Sequence, residues 1–314
     1  MAHHHPEDDC SSTGKFPPVP ALGACLADTA QPLGKRTHAA FYLRTIGGAD
    51  AVDAIAVALR NRDDSALLRH ELGYILGQMQ DMRACTALEE ILADTSDDVM
   101  VRHEAAEALG AIGAERSVAV LTEFARDAAP EVSQTCQLAL DLIGYRNRQS
   151  EDTATPLDAN PYLSIDPAPS CPKEVPVEEL RRQLLDASLP LFARYRAMFS
   201  LRNRGTEDAV LALSSAFQDE PNSLFKHEVA YVLGQMAHVA SVPALSAVLK
   251  DTSEHRMVRH EAAEALGAIG GAEAEALLAA FAGDDAVVVK ESCEVALNTI
   301  DYWKGGASAD GIAA

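Results

Sequence analysis

The sequence lacks several features that would point to common classes of protein. It contains no run of about 18 apolar residues, which excludes a membrane-spanning helix, and it does not begin with the apolar stretch of a secretory signal. It also has no glycine-rich phosphate loop, no serine nucleophile elbow and no cysteine–histidine zinc spacing. Phosphate-loop nucleotide binding, serine hydrolysis and zinc-finger chemistry are therefore not indicated.

Positive charge and aromatic residues are scarce as well. The chain has 26 Lys and Arg against 47 Asp and Glu, a net charge of -21, which disfavours nucleic acids and anionic membranes as partners and suits a cationic one. Aromatic residues make up 5%, and apolar residues recur at helical spacing, which is typical of an all-α protein. The six cysteines form no CxxC motif, which favours a reduced, cytoplasmic location.

What the sequence does contain is a regular grid of His-Glu pairs. The pairs are His70-Glu71, His103-Glu104, His227-Glu228 and His260-Glu261. Within each half 33 residues separate the two histidines, and the second half repeats the first after 157 residues. A period of about 33 residues is typical of solenoids built from helical hairpins. Because such stacking returns equivalent positions to one face, we expect the four imidazoles and four carboxylates to converge.

The duplication extends beyond these pairs. Residues 96–113 recur almost unchanged as residues 253–270, with apolar side chains at the spacing of one helix face. In the first copy, Gly110 should allow tight packing and Gly113 should end the helix.

These repeats predict an all-α solenoid of two pseudo-symmetric halves, each of about four helical hairpins, facing each other across a pseudo-two-fold axis. Six prolines between residues 154 and 176 forbid a continuous helix there, so we interpret this segment as an extended linker. The predicted parts are a disordered leader (1–20), the first half (21–150), a proline-rich linker (151–176), the second half (177–302) and a frayed tail (303–314).

The residue types in the grid suit a metal site. Stacked helices lie roughly 8–10 Å apart, and imidazole or carboxylate ligands lie about 2.0–2.1 Å from a metal, so two helices can share one ion. Each half could supply two histidines and one glutamate, a set that suits non-haem iron. The two halves together would then form a dinuclear centre.

Some of the carboxylates must have another role, because adjacent residues on a helix point about 100° apart and cannot all share one coordination shell. Surplus glutamates could hold a cationic substrate. Glu107 and Glu264 lie four residues after His103 and His260 and could orient these imidazoles, although a solubilising role explains them equally well. The alternative to metal binding is that duplication copied His-Glu pairs from the protein surface without any function. That alternative does not explain why the pair also recurs within each half.

Together the four pairs, the doubled segment VRHEAAEALGAIG, the GQM triplets and the linker sequence NPYLSIDPAP resemble the deoxyhypusine hydroxylase family of HEAT-repeat di-iron monooxygenases. The resemblance spans about residues 30–302. It implies that the iron ligands are His70, His103, Glu104, His227, His260 and Glu261. It also implies that Glu71 and Glu228 act in catalysis by holding the substrate.

The resemblance implies a reaction and its partners. Two Fe(II) per chain would use O2 as co-substrate to hydroxylate the deoxyhypusine side chain of translation initiation factor 5A, with electrons from a donor that the sequence does not identify. That side chain is a lysine extended by an aminobutyl group, and an acidic cleft suits its cationic groups. Neither nucleic acid nor membrane is expected as a partner.

Three other interpretations remain open at this point. A non-catalytic HEAT-repeat scaffold for protein binding would need no metal. A solenoid lyase of the phycobilin-lyase type also carries ALGxIG helices but has no reason for four His-Glu pairs. A hydrolytic dinuclear zinc or manganese enzyme would use similar ligands.

Overall fold

The computed structural model describes residues 16–149, 157, 159–218 and 220–305. The helices of the first half are α1 (Val19–Ala27), α2 (Leu33–Ile46), α3 (Ala49–Leu59), α4 (Ala66–Met79), α5 (Cys85–Ala93), α6 (Val99–Ile112), α7 (Val118–Phe124) and α8 (Pro130–Gln149). Those of the second half are α9 (Val177–Leu185), α10 (Leu191–Arg204), α11 (Glu207–Ser214), α12 (Ser223–Met236), α13 (Val242–Lys250), α14 (Arg256–Ile269), α15 (Ala272–Phe281) and α16 (Val287–Gly305). No β-strand occurs within these ranges, so the predicted all-α solenoid with four hairpins in each half is confirmed. None of the helices described is both long and apolar enough to span a membrane.

Each hairpin pairs an odd-numbered outer helix with an even-numbered inner helix. The closest packing joins successive inner helices, in the pairs α4–α6, α6–α8, α12–α14 and α14–α16. Polar side chains cap the N-termini of these helices, where the hydrophobic periodicity begins. At α4 the hydroxyl of Ser65 accepts from the backbone N–H of Leu68, and at α6 the carboxylate of Asp98 accepts from that of Met100.

Glycine allows the inner helices to approach closely. A Cβ atom placed on Gly110 would lie 2.7 Å from the Cβ of Ala139 on α8, closer than side-chain carbons can come. Gly113 follows α6 with φ of 70°, a left-handed conformation that glycine adopts without steric cost. The roles predicted for Gly110 and Gly113 are therefore confirmed.

A ladder of buried charge pairs joins successive hairpins. Arg69 donates through Nε to the carbonyl of Leu59 and through both terminal nitrogens to the carboxylate of Asp97. The equivalent pairs are Arg36–Asp64, Arg102–Asp127, Arg194–Glu220, Lys226–Glu254 and Arg259–Asp284. The ladder was not predicted from the sequence. Its signal there is the arginine or lysine that precedes the histidine of every His-Glu pair.

The two halves close on each other at both ends. The last helix of the first half, α8, packs against α10 and α12, and the last helix of the second half, α16, packs against α2 and α4. Polar contacts also cross between the halves, from Arg256 to Asp98 and from the Ser65 hydroxyl to Glu291, where Oγ and Oε2 are 2.7 Å apart. Three apolar side chains of the first half join the second-half core, namely Leu67, Met100 and Leu138.

The helix limits differ slightly from the predicted domain boundaries. Helix α1 begins at Val19 rather than after residue 20, because Pro20 occupies the first turn, where a missing N–H breaks no helical hydrogen bond. Helix α16 continues to Gly305, so the predicted tail begins too early. Residues 159–176 contain no helix, in agreement with an extended linker. The first 15 residues and those after Gly305, where the leader and tail are predicted, lie outside the described residues.

Breaking one rung of the charge ladder should destabilise the fold strongly. The side chains of Arg36 and Asp64 are only 4% and 5% exposed, so Asp64→Ala leaves a buried guanidinium without its counter-ion. We expect the free energy of unfolding to fall by about 3–5 kcal/mol, measured by urea denaturation. The matched control is Glu90→Ala, which removes the partner of Arg60. In this pair the side chain of Glu90 is 55% exposed and that of Arg60 is 41% exposed. The control should lose less than about 1 kcal/mol, and equal losses in the two variants would contradict the assignment.

Candidate metal centre

The four histidines of the grid meet between the two halves. Each is the fifth residue of a 14-residue inner helix, on α4, α6, α12 or α14. The ring centroids lie 5.3 Å apart for His70–His103, 5.6 Å for His70–His227, 5.3 Å for His70–His260, 5.4 Å for His103–His227 and 5.3 Å for His227–His260. The predicted convergence of the imidazoles is therefore observed.

These imidazoles are buried without hydrogen-bond partners. His103 and His260 are 0% exposed, and both ring nitrogens of His103, His227 and His260 lack a hydrogen-bond partner among the described residues, as does Nε2 of His70. A buried polar atom without a partner is costly, so a stable chain needs a reason to keep seven such atoms together. Coordination to a metal would satisfy one nitrogen of each ring.

The carboxylates follow the same two-fold relation. Nε2 of His70 lies 3.3 Å from Oε2 of Glu104, and Nε2 of His227 lies 3.3 Å from Oε2 of Glu261. In each half, therefore, the glutamate of the second pair lies beside the histidine of the first pair. This is the arrangement needed for the predicted iron ligands, two histidines and one glutamate from each half.

The potential ligand atoms form three groups, and within each group they lie less than 4.8 Å from one another. The groups are His227, His260 and Glu261; His70, His103 and His227; and His103, Glu104 and Glu107. The first reproduces the predicted second-half set. The other two cross between the halves or include Glu107, so the division of ligands between two ions stays a prediction. Glu107 lies among the potential ligand atoms, a position that neither the orienting nor the solubilising role considered for it requires.

Glu264 lies beside His260. Its Oε1 is 3.6 Å from Nδ1 of His260 and accepts a hydrogen bond of 3.1 Å from the hydroxyl of Ser292 on α16. The position that matches Ser292 in the first half is Thr135, whose hydroxyl instead donates to the carbonyl of Glu131. Glu264 and Glu107 are therefore inequivalent despite their identical sequence context.

Glu71 and Glu228 also differ from each other. The side chain of Glu71 is 15% exposed, and its Oε1 lies 3.4 Å from Nδ1 of His70. Glu228 is 2% exposed, and its Oε1 has no hydrogen-bond partner among the described residues. Burial raises the pKa of both carboxyl groups, and a carboxylate of the other half raises it further, Glu264 for Glu71 and Glu107 for Glu228. A bound cation would relieve this repulsion.

Most of the imidazoles in the cluster are uncharged. Burial lowers the pKa of His103, His227 and His260 well below the usual range, and charge on neighbouring imidazoles lowers it further. Burial acts in the same direction at His70, but the carboxylates of Glu104 and Glu71 outweigh it and raise the pKa of that imidazole. Three of the four rings are therefore neutral near pH 7, with lone pairs available for a metal.

Two tyrosines beside the cluster were not identified from the sequence. The hydroxyl oxygens of Tyr74 and Tyr231 are 2.9 Å apart across the pseudo-two-fold axis. Each lies four residues after a cluster histidine, His70 or His227, and the two are 157 residues apart. The shared spacing was a signal that could have indicated them.

Fold and site together define a class: a HEAT-repeat solenoid with a buried histidine and glutamate centre suited to metal ions. A family model for HEAT repeats matches residues 220–298, and the model for the PBS lyase HEAT-like repeat matches residues 101–127 and 193–219.

Similar proteins of known name identify the family. Deoxyhypusine hydroxylase of Danio rerio is 51% identical over 90% of this chain and 92% of its own length. The Xenopus laevis and Homo sapiens proteins of the same name are 53% and 50% identical, covering 92% and 94% of this chain and 92% and 95% of their own lengths. The structure of human deoxyhypusine hydroxylase in complex with glycerol matches with a TM-score of 0.85, at 50% identity, over 90% of this chain and 96% of that chain. The chain belongs to the deoxyhypusine hydroxylase family, and the resemblance expected from its motifs is confirmed.

Metal loading should stabilise the chain, because a metal bound to the folded cluster has no equivalent site in the unfolded chain. After anaerobic loading with Fe(II) and desalting, we expect about two irons per chain by mass spectrometry and a higher melting temperature than in the chelator-treated protein. The double variant His103→Ala/His260→Ala should lose both effects. His238→Ala, which removes a histidine that caps a turn outside the cluster, should keep them. Absence of retained metal in the unaltered chain would contradict the assignment.

Proposed function

We propose that this chain hydroxylates the deoxyhypusine side chain of translation initiation factor 5A in the cytoplasm. One oxygen atom of O2 enters a C–H bond of that side chain, and the other leaves as water with two electrons and two protons from an external reductant. The observation that carries this proposal is the cluster of four buried imidazoles with unpaired ring nitrogens, in a chain about half identical to named deoxyhypusine hydroxylases.

We assign two irons to the cluster, held by His70, His103, Glu104, His227, His260 and Glu261. Support comes from the unpaired ring nitrogens and from three groups of donor atoms, each within 4.8 Å, which together include all six residues. Mixed imidazole and carboxylate ligands suit iron in enzymes that use O2. When bound, the irons would supply the redox chemistry, and the protein would hold them and position one carbon of the substrate.

The substrate side chain carries two amino groups joined by four methylene groups, and both are cationic at neutral pH. We assign their binding to Glu71 and Glu228, which lie on α4 and α12, one from each half. Each is accompanied by a carboxylate of the opposite half, Glu264 or Glu107, whose charge acts on it. Charge-assisted hydrogen bonds to these glutamates would hold the carbon chain against the cluster.

The burial of the cluster suits the proposed hydroxylation. The ligand residues proposed above are between 0% and 6% exposed. Insertion of oxygen into an unactivated C–H bond needs a site from which bulk water is excluded, because water would compete for the metals and quench reactive species. The ladder of buried charge pairs holds the backbone beside each histidine, so the imidazoles have little freedom to leave this arrangement.

The other interpretations are less well supported. A non-catalytic scaffold has no use for seven unpaired imidazole nitrogens, whose burial costs stability. A hydrolytic zinc or manganese enzyme could use these ligands, but the named relatives are hydroxylases. Metal analysis and product analysis separate these possibilities.

The direct test uses iron-loaded chain, O2, a reductant and translation initiation factor 5A carrying deoxyhypusine. We expect the substrate protein to gain 16 Da, detected by mass spectrometry, and 18O2 to deliver the label. The variant His103→Ala/His260→Ala should give no product, and His238→Ala should act like the unaltered chain. An iron-loaded chain that leaves the substrate mass unchanged would refute the proposed function.

The two proposed substrate glutamates should affect binding and spare the metals. Loss of one charge-assisted hydrogen bond costs about 1.5–3 kcal/mol, so Glu71→Ala and Glu228→Ala should each weaken substrate binding by roughly 10-fold to 100-fold. Calorimetry with the deoxyhypusine protein measures this, and iron content should stay at the unaltered level. Glu90→Ala, which removes an exposed carboxylate on α5, is the control and should bind normally. Loss of iron in both site variants would show that the division between ligands and substrate residues is wrong.

A further inference from the structure

The pair formed by Tyr74 and Tyr231 has no role in the function proposed above. Their rings meet edge to face with centroids 5.9 Å apart, and their hydroxyl oxygens are 2.9 Å apart. Each ring lies one helical turn beyond His70 or His227, on the same helix face. Tyr74 lies on α4, three residues after Glu71 and four after His70, so its side chain follows the cluster residues along the same helix.

An arginine determines the direction of the hydrogen bonds that lead to this pair. Arg202 can only donate, and it donates to Oε1 of Gln235 over 2.8 Å. The amide nitrogen of Gln235 then donates to the hydroxyl oxygen of Tyr231 over 2.9 Å. Since Tyr231 already accepts this bond, its own proton is available for Tyr74. With Tyr231 donating to Tyr74, one chain of donors runs from Arg202 through Gln235 and Tyr231 to Tyr74, and the Tyr74 proton is left for another acceptor.

The linker holds this arginine in place. Arg202 is 0% exposed and donates to both carboxylate oxygens of Asp166, over 2.8 Å and 2.6 Å. It also donates to the hydroxyl of Ser164 over 3.1 Å. The guanidinium therefore cannot rotate away from Gln235 without breaking a buried ion pair.

The linker also makes the two halves inequivalent. Gln78 corresponds to Gln235, but its side-chain amide is engaged by the linker backbone, donating to the carbonyl of Ile165 over 3.0 Å and accepting from its N–H over 2.8 Å. Gln78 therefore cannot orient Tyr74 as Gln235 orients Tyr231. Burial raises the pKa of Tyr74 to about 12, which keeps its hydroxyl protonated, while the hydrogen bond received from Tyr231 acts in the opposite direction.

We propose that Tyr74 is the hydrogen-bond donor of the site, oriented by Arg202 through Gln235 and Tyr231 toward a small anionic or oxygen ligand bound within the cluster. The proposal rests on the proposed function for the presence of metal, but it concerns the ligand rather than the substrate. Tyr74 positions that ligand beside Glu71 and Glu104, and the pseudo-symmetric partner Tyr231 serves only to orient it.

Azide is a suitable probe, because it binds to iron without the substrate or O2. The Fe(III)-loaded chain is titrated with azide and followed by absorbance. Tyr74→Phe should bind azide roughly 3-fold to 10-fold more weakly, as expected for loss of one hydrogen bond, with unchanged iron content. The matched control is Tyr42→Phe, which breaks a second tyrosine pair, Tyr42 and Tyr302, whose hydroxyls are also 2.9 Å apart but lie on α2 and α16. The control should bind azide normally.

A second variant tests the donor chain itself. Gln235→Leu leaves Tyr231 free to accept from Tyr74, so it should weaken azide binding about as much as Tyr74→Phe does. The double variant Tyr74→Phe/Gln235→Leu should be no weaker than Tyr74→Phe alone, since both changes remove the same interaction. Additive effects would show that Gln235 does not act through Tyr74.

Two results would overturn the proposal. One is azide affinity that is unchanged in Tyr74→Phe. The other is a phenolate-to-iron absorption band in the unaltered chain that disappears in Tyr74→Phe, because Tyr74 would then be a metal ligand. Neither result depends on hydroxylation. If the iron-loaded chain shows the expected azide effect but fails to hydroxylate its substrate, the proposed function fails and the role of Tyr74 stands.

Discussion

The main constraint on the structure is that it must bury four imidazoles, whose neighbouring ring centroids lie 5.3–5.6 Å apart, between two halves that otherwise meet mainly at their ends. Such a cluster is unfavourable by itself, because its ring nitrogens lack hydrogen-bond partners and its carboxylates repel one another. The repeat architecture tolerates this cost, since each inner helix is held by its neighbours through close glycine contacts and buried ion pairs. Stability comes from the hairpins, which leaves the centre available for chemistry.

Adjacent residues of one short motif divide these tasks. In Arg-His-Glu at 102–104, the arginine turns toward the next hairpin and binds Asp127, whereas the histidine and glutamate turn toward the axis. The angle of about 100° between successive side chains on a helix makes this division possible. The copies at 69–71 and 259–261 repeat it, and lysine replaces arginine at 226–228. Structure and site are therefore encoded by the same three positions.

Duplication would make the two sides of the centre equivalent, and the linker prevents this. Ile165 engages Gln78, and Asp166 engages Arg202, so two glutamines in identical GQM motifs make different hydrogen bonds. Ser292 adds a further difference by holding Glu264. The proposed reaction, with an asymmetric substrate and two oxygen atoms with different fates, suits a centre whose two sides differ.

The sequence by itself determined the all-α repeat fold, its division into halves and the convergence of the four His-Glu pairs, because a 33-residue period returns equivalent residues to one face. It also indicated the family, which the comparisons confirm. It did not reveal the tyrosine pair, the arginine ladder or the inequivalence of Glu107 and Glu264. The spacing of Tyr74 and Tyr231 marks them as equivalent, but whether their hydroxyls meet depends on the angle at which the halves face each other. The ladder depends on how successive hairpins stack within each half, and the two glutamates differ because the hydroxyls of Ser292 and Thr135 bind different oxygens.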